Sequence, residues 1–205
     1  MTLTWLGHSC FCLEEDGYRL VLDPYSDVDG YPPLHTQAHE VLVSHDHFDH
    51  NHVEAVELLA KRSSPFTVRK VETFHDDQQG ALRGKNTIHI IRGGGLTVAH
   101  LGDLGHPLSR EQAEAVGKCD LLMVPVGGFF TLDAAGAAAA VEALGGGTVV
   151  PMHYRLPPYG FPKTAEVGAF LAFYPAERVL RLSTNSFHVE KSAEGTRVVV
   201  PAFVI

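Results

Sequence analysis

His45-Asp46-His47-Phe48-Asp49-His50 is the stretch on which the reading of this chain turns. It follows the short apolar segment Val41–Ser44, which suits a buried strand. In an extended exit from that strand, His45 and His47 point the same way and can grip one metal ion. A turn into a helix near Asn51 would swing Asp49 and His50 toward a second ion beside the first. Imidazole and carboxylate suit zinc, and also iron or manganese. Thirteen histidines stand in 205 residues, about twice what average usage supplies.

The bulk composition sets the frame around this motif. With 45% hydrophobic and 20% charged residues, the chain suits one globular domain over residues 1–205 with a substantial core. No apolar run approaches the roughly 18 residues that cross a bilayer, and the N-terminus lacks the basic start and apolar stretch of a signal peptide. A cytoplasmic protein without a membrane partner is expected. The formal charge of −8 argues against nonspecific binding to nucleic acid or anionic membranes. Cys10, Cys12 and Cys119 make an odd count, so no disulfide framework is expected. Cys10 and Cys12 lie two apart in a strand and read as small core residues on one face.

Outward from the motif, strand patterns occupy Thr2–Leu6, Phe11–Glu14 and Tyr18–Leu22, with Asp16-Gly17 as a hairpin turn. Val53, Val56, Leu59 and Ala60 give helical spacing through about Arg62. Strands are expected at Phe66–Phe74, Thr87–Ile91, Leu96–Leu101, Leu121–Val124 and Thr148–Met152. Ser109-Arg-Glu-Gln112 is a capping box that opens a short helix to Val116. The alanine-rich run Ala134–Ala143 reads as a helix with Thr131 or Asp133 at its cap. A helix from about Thr164 to Phe173 precedes strands near Val179–Leu182, Phe187–Glu190 and Arg197–Val200. Strands first, then strands interleaved with helices, indicate an α/β protein of two mixed sheets covered by helices. The runs Gly93–Gly95 and Gly145–Gly147 lack the lysine of a phosphate loop and read as turns.

His-x-His-x-Asp-His after a strand resembles the signature of the metallo-β-lactamase superfamily. The resemblance implies that fold's αββα sandwich and further ligands at strand ends. His75 ends one strand, Gly102-Asp103 follows another, and His153 follows a third. Trp5-Leu-Gly-His-Ser-Cys-Phe11, Leu22-Asp-Pro-Tyr25, Val124-Pro-Val-Gly-Gly128 and Pro151-Met-His-Tyr154 resemble more closely the branch of small metal-dependent hydrolases that includes ascorbate-6-phosphate lactonase. Carried over residue by residue, His45, His47 and His75 hold one divalent ion. Asp49, His50 and His153 hold the second, Asp103 bridges, and Asp49 and Asp103 are the catalytic carboxylates.

His100, three residues before Asp103, is the rival to His75. Because it lies inside a strand that must run on to Gly102, a place behind the site or in the core suits it better. Asp23 is the candidate to orient a histidine ligand, with a turn before Pro24 as the bland reading. His8 and His106 stand as candidate substrate contacts, His106 within reach of Asp103, and each reads equally as an ordinary loop histidine. Phe129, Phe130, Tyr154, Arg155 and Tyr159 are candidates for a pocket wall.

What the resemblance implies is hydrolysis of a small anionic ester, lactone or phosphodiester by a metal-bridged hydroxide, with two ions, zinc first and manganese or iron as alternatives. A di-iron redox protein and a non-catalytic metal-binding protein of the same fold are the alternatives in function. Association into a homo-oligomer is an expectation from resemblance. The chain departs from relatives in Leu104, where many have Thr after Gly-Asp, and in Phe74-His75-Asp76, where the thioesterases have Gly-His-Thr. It is also far shorter than ascorbate-6-phosphate lactonase, and carries no pattern of an added nuclease or flavin domain.

Overall fold

The computed structural model describes residues 1–192 and 195–204. Its first three strands, β1 (Thr2–Gly7), β2 (Cys10–Glu15) and β3 (Tyr18–Leu22), form an antiparallel meander. Asp16 and Gly17 both take positive φ, at 50° and 71°, the two-residue turn whose twist matches the flanking strands. After β4 (Thr36–Ala38), β5 (Glu40–Leu42) pairs parallel to β3. β6 (Val56–Leu58) pairs parallel to β4 in a separate two-stranded ribbon.

The second sheet starts with β7 (Thr67–Phe74), β8 (Lys85–Gly93) and β9 (Leu96–His100), all antiparallel. Helix α1 (Arg110–Val116) leads to β10 (Leu121–Pro125), and α2 (Ala134–Ala143) to β11 (Thr148–Met152). Then come α3 (Gly168–Leu171), β12 (Val179–Arg181), β13 (Ser186–His188) and β14 (Arg197–Val200). The strand orders are β13-β1-β2-β3-β5 and β12-β14-β11-β10-β9-β8-β7. These are the two mixed sheets of the expected α/β sandwich.

Between the sheets lies one apolar core. β1 alternates buried and half-buried positions, so Leu3 and Trp5 face inward with Phe11, Leu13, Leu20 and Leu22 against Ile88, Ile90, Val98 and Val149. Cys10, Cys12 and Val21 point to the other face of the first sheet, where Tyr25, Val28, Leu34, Ala38 and Val56 cover them. All three cysteines are buried and unpaired.

Two expected helices differ. The segment 53–62 holds only a single 3₁₀ turn, Val53–Ala55, followed by β6. Its backbone is satisfied by the ribbon, with Leu59 N–H donating to Ala38 O at 2.8 Å. Only Ala55 and Val56 of this stretch are buried, and Val53 and Leu58 are exposed, so the apolar spacing has no face to bury. The helix expected at 164–173 shrinks to α3. Ala165 N–H bonds Gly127 O at 2.7 Å and its O accepts from Arg155 N–H at 2.9 Å, which spends the backbone of its first turn on neighbouring loops. The capping box holds: Ser109 Oγ accepts from Gln112 N–H and Gln112 Oε1 from Ser109 N–H. Asp133, not Thr131, caps α2.

Strand direction places the chemistry. β1, β3 and β5 run one way in the first sheet, and β7, β9, β10 and β11 share a direction in the second. His8, Asp23 and the Ser44–His50 loop lie just past the carboxyl ends of β1, β3 and β5. His75, Asp103 and His153 lie just past those of β7, β9 and β11. In sheets of this kind, ligands bind outside the carboxyl ends of strands.

Candidate metal centre

Two donor groups meet at that edge. His45, His47 and His75 each offer a ring nitrogen within 4.8 Å of the others, and so do the donor atoms of His8, Asp49, His50 and His153. Asp103 lies against both. Its Oδ2 is 3.1 Å from His75 Nε2, 3.1 Å from His153 Nε2 and 3.9 Å from His45 Nε2, and its Oδ1 is 3.2 Å from His50 Nε2. Each of the seven residues expected as ligands is therefore in one cluster, and all but His47 are buried.

Behind the cluster, Asp23 fixes two of its imidazoles. Asp23 Oδ2 accepts from His50 Nδ1–H at 2.8 Å and from the Ser44 hydroxyl at 2.6 Å, while Oδ1 takes Ser44 N–H at 2.7 Å. The Ser44 hydroxyl in turn accepts from His45 Nδ1–H at 2.9 Å. With their Nδ1 atoms so bonded, His45 and His50 turn Nε2 toward Asp103. Asp23 thus bonds His50 directly and His45 through Ser44, a link that sequence reasoning missed.

Gly102 and Gly105 frame Asp103 by what they lack. Gly102 has φ +55°, and a Cβ there would press onto Asn86 Oδ1 and the Ser44 side chain. That close approach lets Asn86 Oδ1 accept from Asp103 N–H at 2.9 Å. A Cβ on Gly105 would press onto the His75 backbone. A backbone signal that no motif announces is the left-handed conformation of His8, Asp23 and His153, at φ 49°, 48° and 53°. Such strain in non-glycine residues gathers where surrounding packing over-determines the geometry.

Charge follows the same division. Burial and the neighbouring His153 push His8 down to about 4, and burial with His50 pushes His45 down to about 3. Burial alone would also lower His50 and His153, but the Asp103 carboxylate outweighs it, raising His50 well above the usual range and His153 to about 9. Asp49 and Asp103 are held far below the usual carboxylate range, since their histidine neighbours overcome burial. Burial would raise Asp23, but the His100 charge and the hydrogen bonds from His50 and Ser44 hold it at about 2.

The remaining candidates take different places relative to this cluster. His8 is inside it: Nε2 is 3.2 Å from Asp49 Oδ2 and its ring 4.3 Å from that of His153. His100 is behind it, with Nε2–H donating to Ser9 O at 2.9 Å and Nδ1 accepting from Gly102 N–H at 3.1 Å. Both nitrogens are spent, so His75 stands where the rival would have stood. Sequence reasoning put His106 within reach of Asp103, and the structure corrects this. His106 Nε2 accepts from Phe74 N–H at 3.2 Å and Nδ1–H donates to Pro107 O at 2.8 Å, so the ring serves the backbone of its own loops. Phe130 lines the cavity over the cluster, but Tyr154 stacks on Trp5, Arg155 pairs with Glu166, and Tyr159 packs on Tyr31 and Phe203.

That cavity, about 460 Å³, is lined by Asp46, His47, Asp49, His75, Asp103 and His153 at its base and by Phe48, Phe130, Phe161 and Arg83 on its walls. Phe48, Phe161 and Arg83 lie in loops without periodicity, and sequence reasoning gave none of them a place in the pocket wall. The donor set fits a cation. His50 Nε2 and Asp103 Oδ1 are buried 3.2 Å apart, and Nε2 of His75 and of His153 stand 3.1 Å from the other carboxylate oxygen.

Residues 2–153 match the model of the β-lactamase superfamily domain. A UPF0173 protein of Pyrococcus furiosus is 31% identical over 179 residues, 75% of this chain and 83% of that protein. A UPF0173 metal-dependent hydrolase of Carboxydothermus hydrogenoformans is 28% identical over 209 residues, 83% of this chain and 90% of that one. Among solved structures, a protein of Thermotoga maritima assigned to the zinc-dependent hydrolases of the metallo-β-lactamase superfamily superposes with a TM-score of 0.77 at 33% identity, over 98% of both chains. The likeness to ascorbate-6-phosphate lactonase rests on the four short segments alone. The chain belongs to the metallo-β-lactamase superfamily and, within it, to the UPF0173 family of metal-dependent hydrolases.

Proposed function

We propose that this chain holds two divalent metal ions in the His/Asp cluster and hydrolyses a small anionic ester, lactone or phosphodiester. The observation that carries the reading is the meeting of two donor groups at Asp103, whose buried carboxylate has the Nε2 atoms of His45, His50, His75 and His153 within 3.1 to 3.9 Å. So dense a buried set of imidazole and carboxylate donors is what a divalent cation takes as ligands. His45, His47 and His75 would hold one ion and Asp49, His50 and His153 the other, with Asp103 shared. Zinc suits these donors best, with manganese or iron as alternatives. When bound, such ions supply a water nucleophile near neutral pH and a Lewis acid for the oxygen that gains charge.

The remaining work belongs to the chain's own residues. Asp23 and Ser44 hold His50 and His45 in the tautomer that leaves Nε2 free. His8, inside the cluster, keeps the Asp49 carboxylate in place. Phe48, Phe130 and Phe161 exclude water from the walls, which strengthens electrostatic attraction at the base. Two divalent cations outweigh the two carboxylates Asp49 and Asp103, so the centre favours an anionic substrate. The test is Asp103→Asn, assayed on anionic aryl esters with metal content measured alongside. We expect kcat/KM to fall about a hundredfold or more. Unchanged hydrolysis with full metal loading would overturn the shared role of Asp103.

A further inference from the structure

We propose that Arg83 is the specificity-determining residue of this site, selecting substrates that carry an anionic group apart from the scissile bond and an aromatic or apolar body between. The inference rests on the hydrolase reading above and narrows its substrate class. Among the described residues that line the cavity over the cluster, Arg83 is the one lysine or arginine. It stands on the wall, not the base, so it is placed for a second end of the ligand. Phe130 lies between the two, its ring centroid 5.8 Å from the Arg83 guanidinium carbon and 6.3 Å from the His153 ring, and Phe161 and Phe48 continue the wall at 5.7 Å from Phe130 and 6.2 Å from Phe161. Those rings suit the body of a ligand, while the metal cluster suits the bond to be cut.

Arg83 is also held in advance. Asp76 accepts four backbone N–H groups from its own loop: Gln78 and Gly80 at Oδ1, Leu82 and Arg83 at Oδ2, at 2.7 to 3.0 Å. This cage fixes the Arg83 backbone, and the same loop begins at His75. The guanidinium then bonds Phe129 O at 3.2 Å through Nη2 and lies 5.8 Å from the Phe130 ring centroid. Phe129 takes φ +59°, a conformation unfavourable for a bulky residue, and its carbonyl is thereby bonded to Arg83. Lys163 is spent on the outer face of Phe129, 4.8 Å from its ring. The structure gives Nε and Nη1 of Arg83 no hydrogen bond among the described residues. A guanidinium with donors to spare, half-buried beside aromatic rings, fits a carboxylate or phosphate in a fork geometry. Because the loop is ordered beforehand, little entropy remains to be lost on binding.

The test is calorimetry on metal-replete protein with 4-phenylbutyrate and 4-phenylbutanol, which differ in the anionic end alone. We expect wild type to bind the acid at least about tenfold more tightly. In Arg83→Met that preference should shrink to within about twofold, with metal content unchanged, and Arg83→Lys should keep part of it. If Arg83→Met keeps the full preference, the metals take the carboxylate and the proposal is overturned. Equal affinity of wild type for acid and alcohol overturns it too, as does an equal loss of both ligands in Arg83→Met, which would make the residue a mere tie between loops. Hydrolysis of mono-4-nitrophenyl glutarate by the same samples reports separately on the hydrolase reading. A retained acid preference without turnover would sink hydrolysis of such esters and leave the anion site standing.

Discussion

Asp23 carries three hydrogen bonds on two oxygens, and through them it governs the aim of two imidazoles 22 and 27 residues further along the chain. Asn at this position would offer one acceptor and one donor where every partner is a donor, so one of the three bonds must turn repulsive. Asp23→Asn should therefore weaken metal affinity about 10- to 100-fold, read by competition with a chromophoric chelator, while far-ultraviolet circular dichroism stays unchanged. Affinity within twofold of wild type would show that His45 and His50 are aimed by packing alone. At this scale the sequence was legible where spacing alone decides. His-x-His-x-Asp-His brings four of its six residues, His45, His47, Asp49 and His50, into the cluster, and the Gly-Asp pair announces a backbone approach that only glycine allows. It was illegible where a residue's role depends on one distant contact. Nothing in the residues around His106 says that Phe74 N–H takes its Nε2, and nothing around Arg83 says that Asp76 pins its loop. The left-handed backbone of His8, Asp23 and His153 is equally hidden, because none of the three is a glycine.

At the scale of elements, local chemistry was read well when it closed on itself. The Asp16-Gly17 hairpin and the Ser109/Gln112 capping box depend only on neighbours in the chain, and both stand as expected. The helices at 53–62 and 164–173 depended on finding a face to bury. The first lost its backbone to pairing of β6 with β4, the second to bonds with the loops after β10 and β11. Asp120, just before β10, shows how such loops are tied. Its carboxylate accepts from Thr97 N–H at 2.8 Å and Ser192 N–H at 3.2 Å, with Lys191 Nζ at 3.5 Å. Burial would raise its pKa, but these donors hold it below the usual carboxylate range. A folded pKa below the unfolded value contributes stability above the unfolded pKa and loses it as pH falls through the folded one. Wild type should accordingly have a higher Tm than Asp120→Asn near neutral pH. The gap should close as pH drops below about 4. A gap that stays constant from pH 7 to 3 would place the Asp120 contribution in packing instead of charge.

For the whole molecule, loops that follow six strands, β1, β3, β5, β7, β9 and β11, bring histidine and aspartate from residues 8 to 153 to one edge. The order of strands and candidate ligands could be followed along the chain, because each ligand-bearing loop follows a readable strand. The depth of the cavity and the identity of its walls could not, because they arise where loops from both sheets meet. The deciding measurement is elemental analysis of divalent metal per chain, on protein purified without chelator or affinity-tag metal, beside His75→Ala and His100→Gln. The account predicts about two ions in wild type, a clear fall in His75→Ala, and an unchanged count in His100→Gln. A wild type that stays metal-free after incubation with zinc, manganese and iron would contradict it.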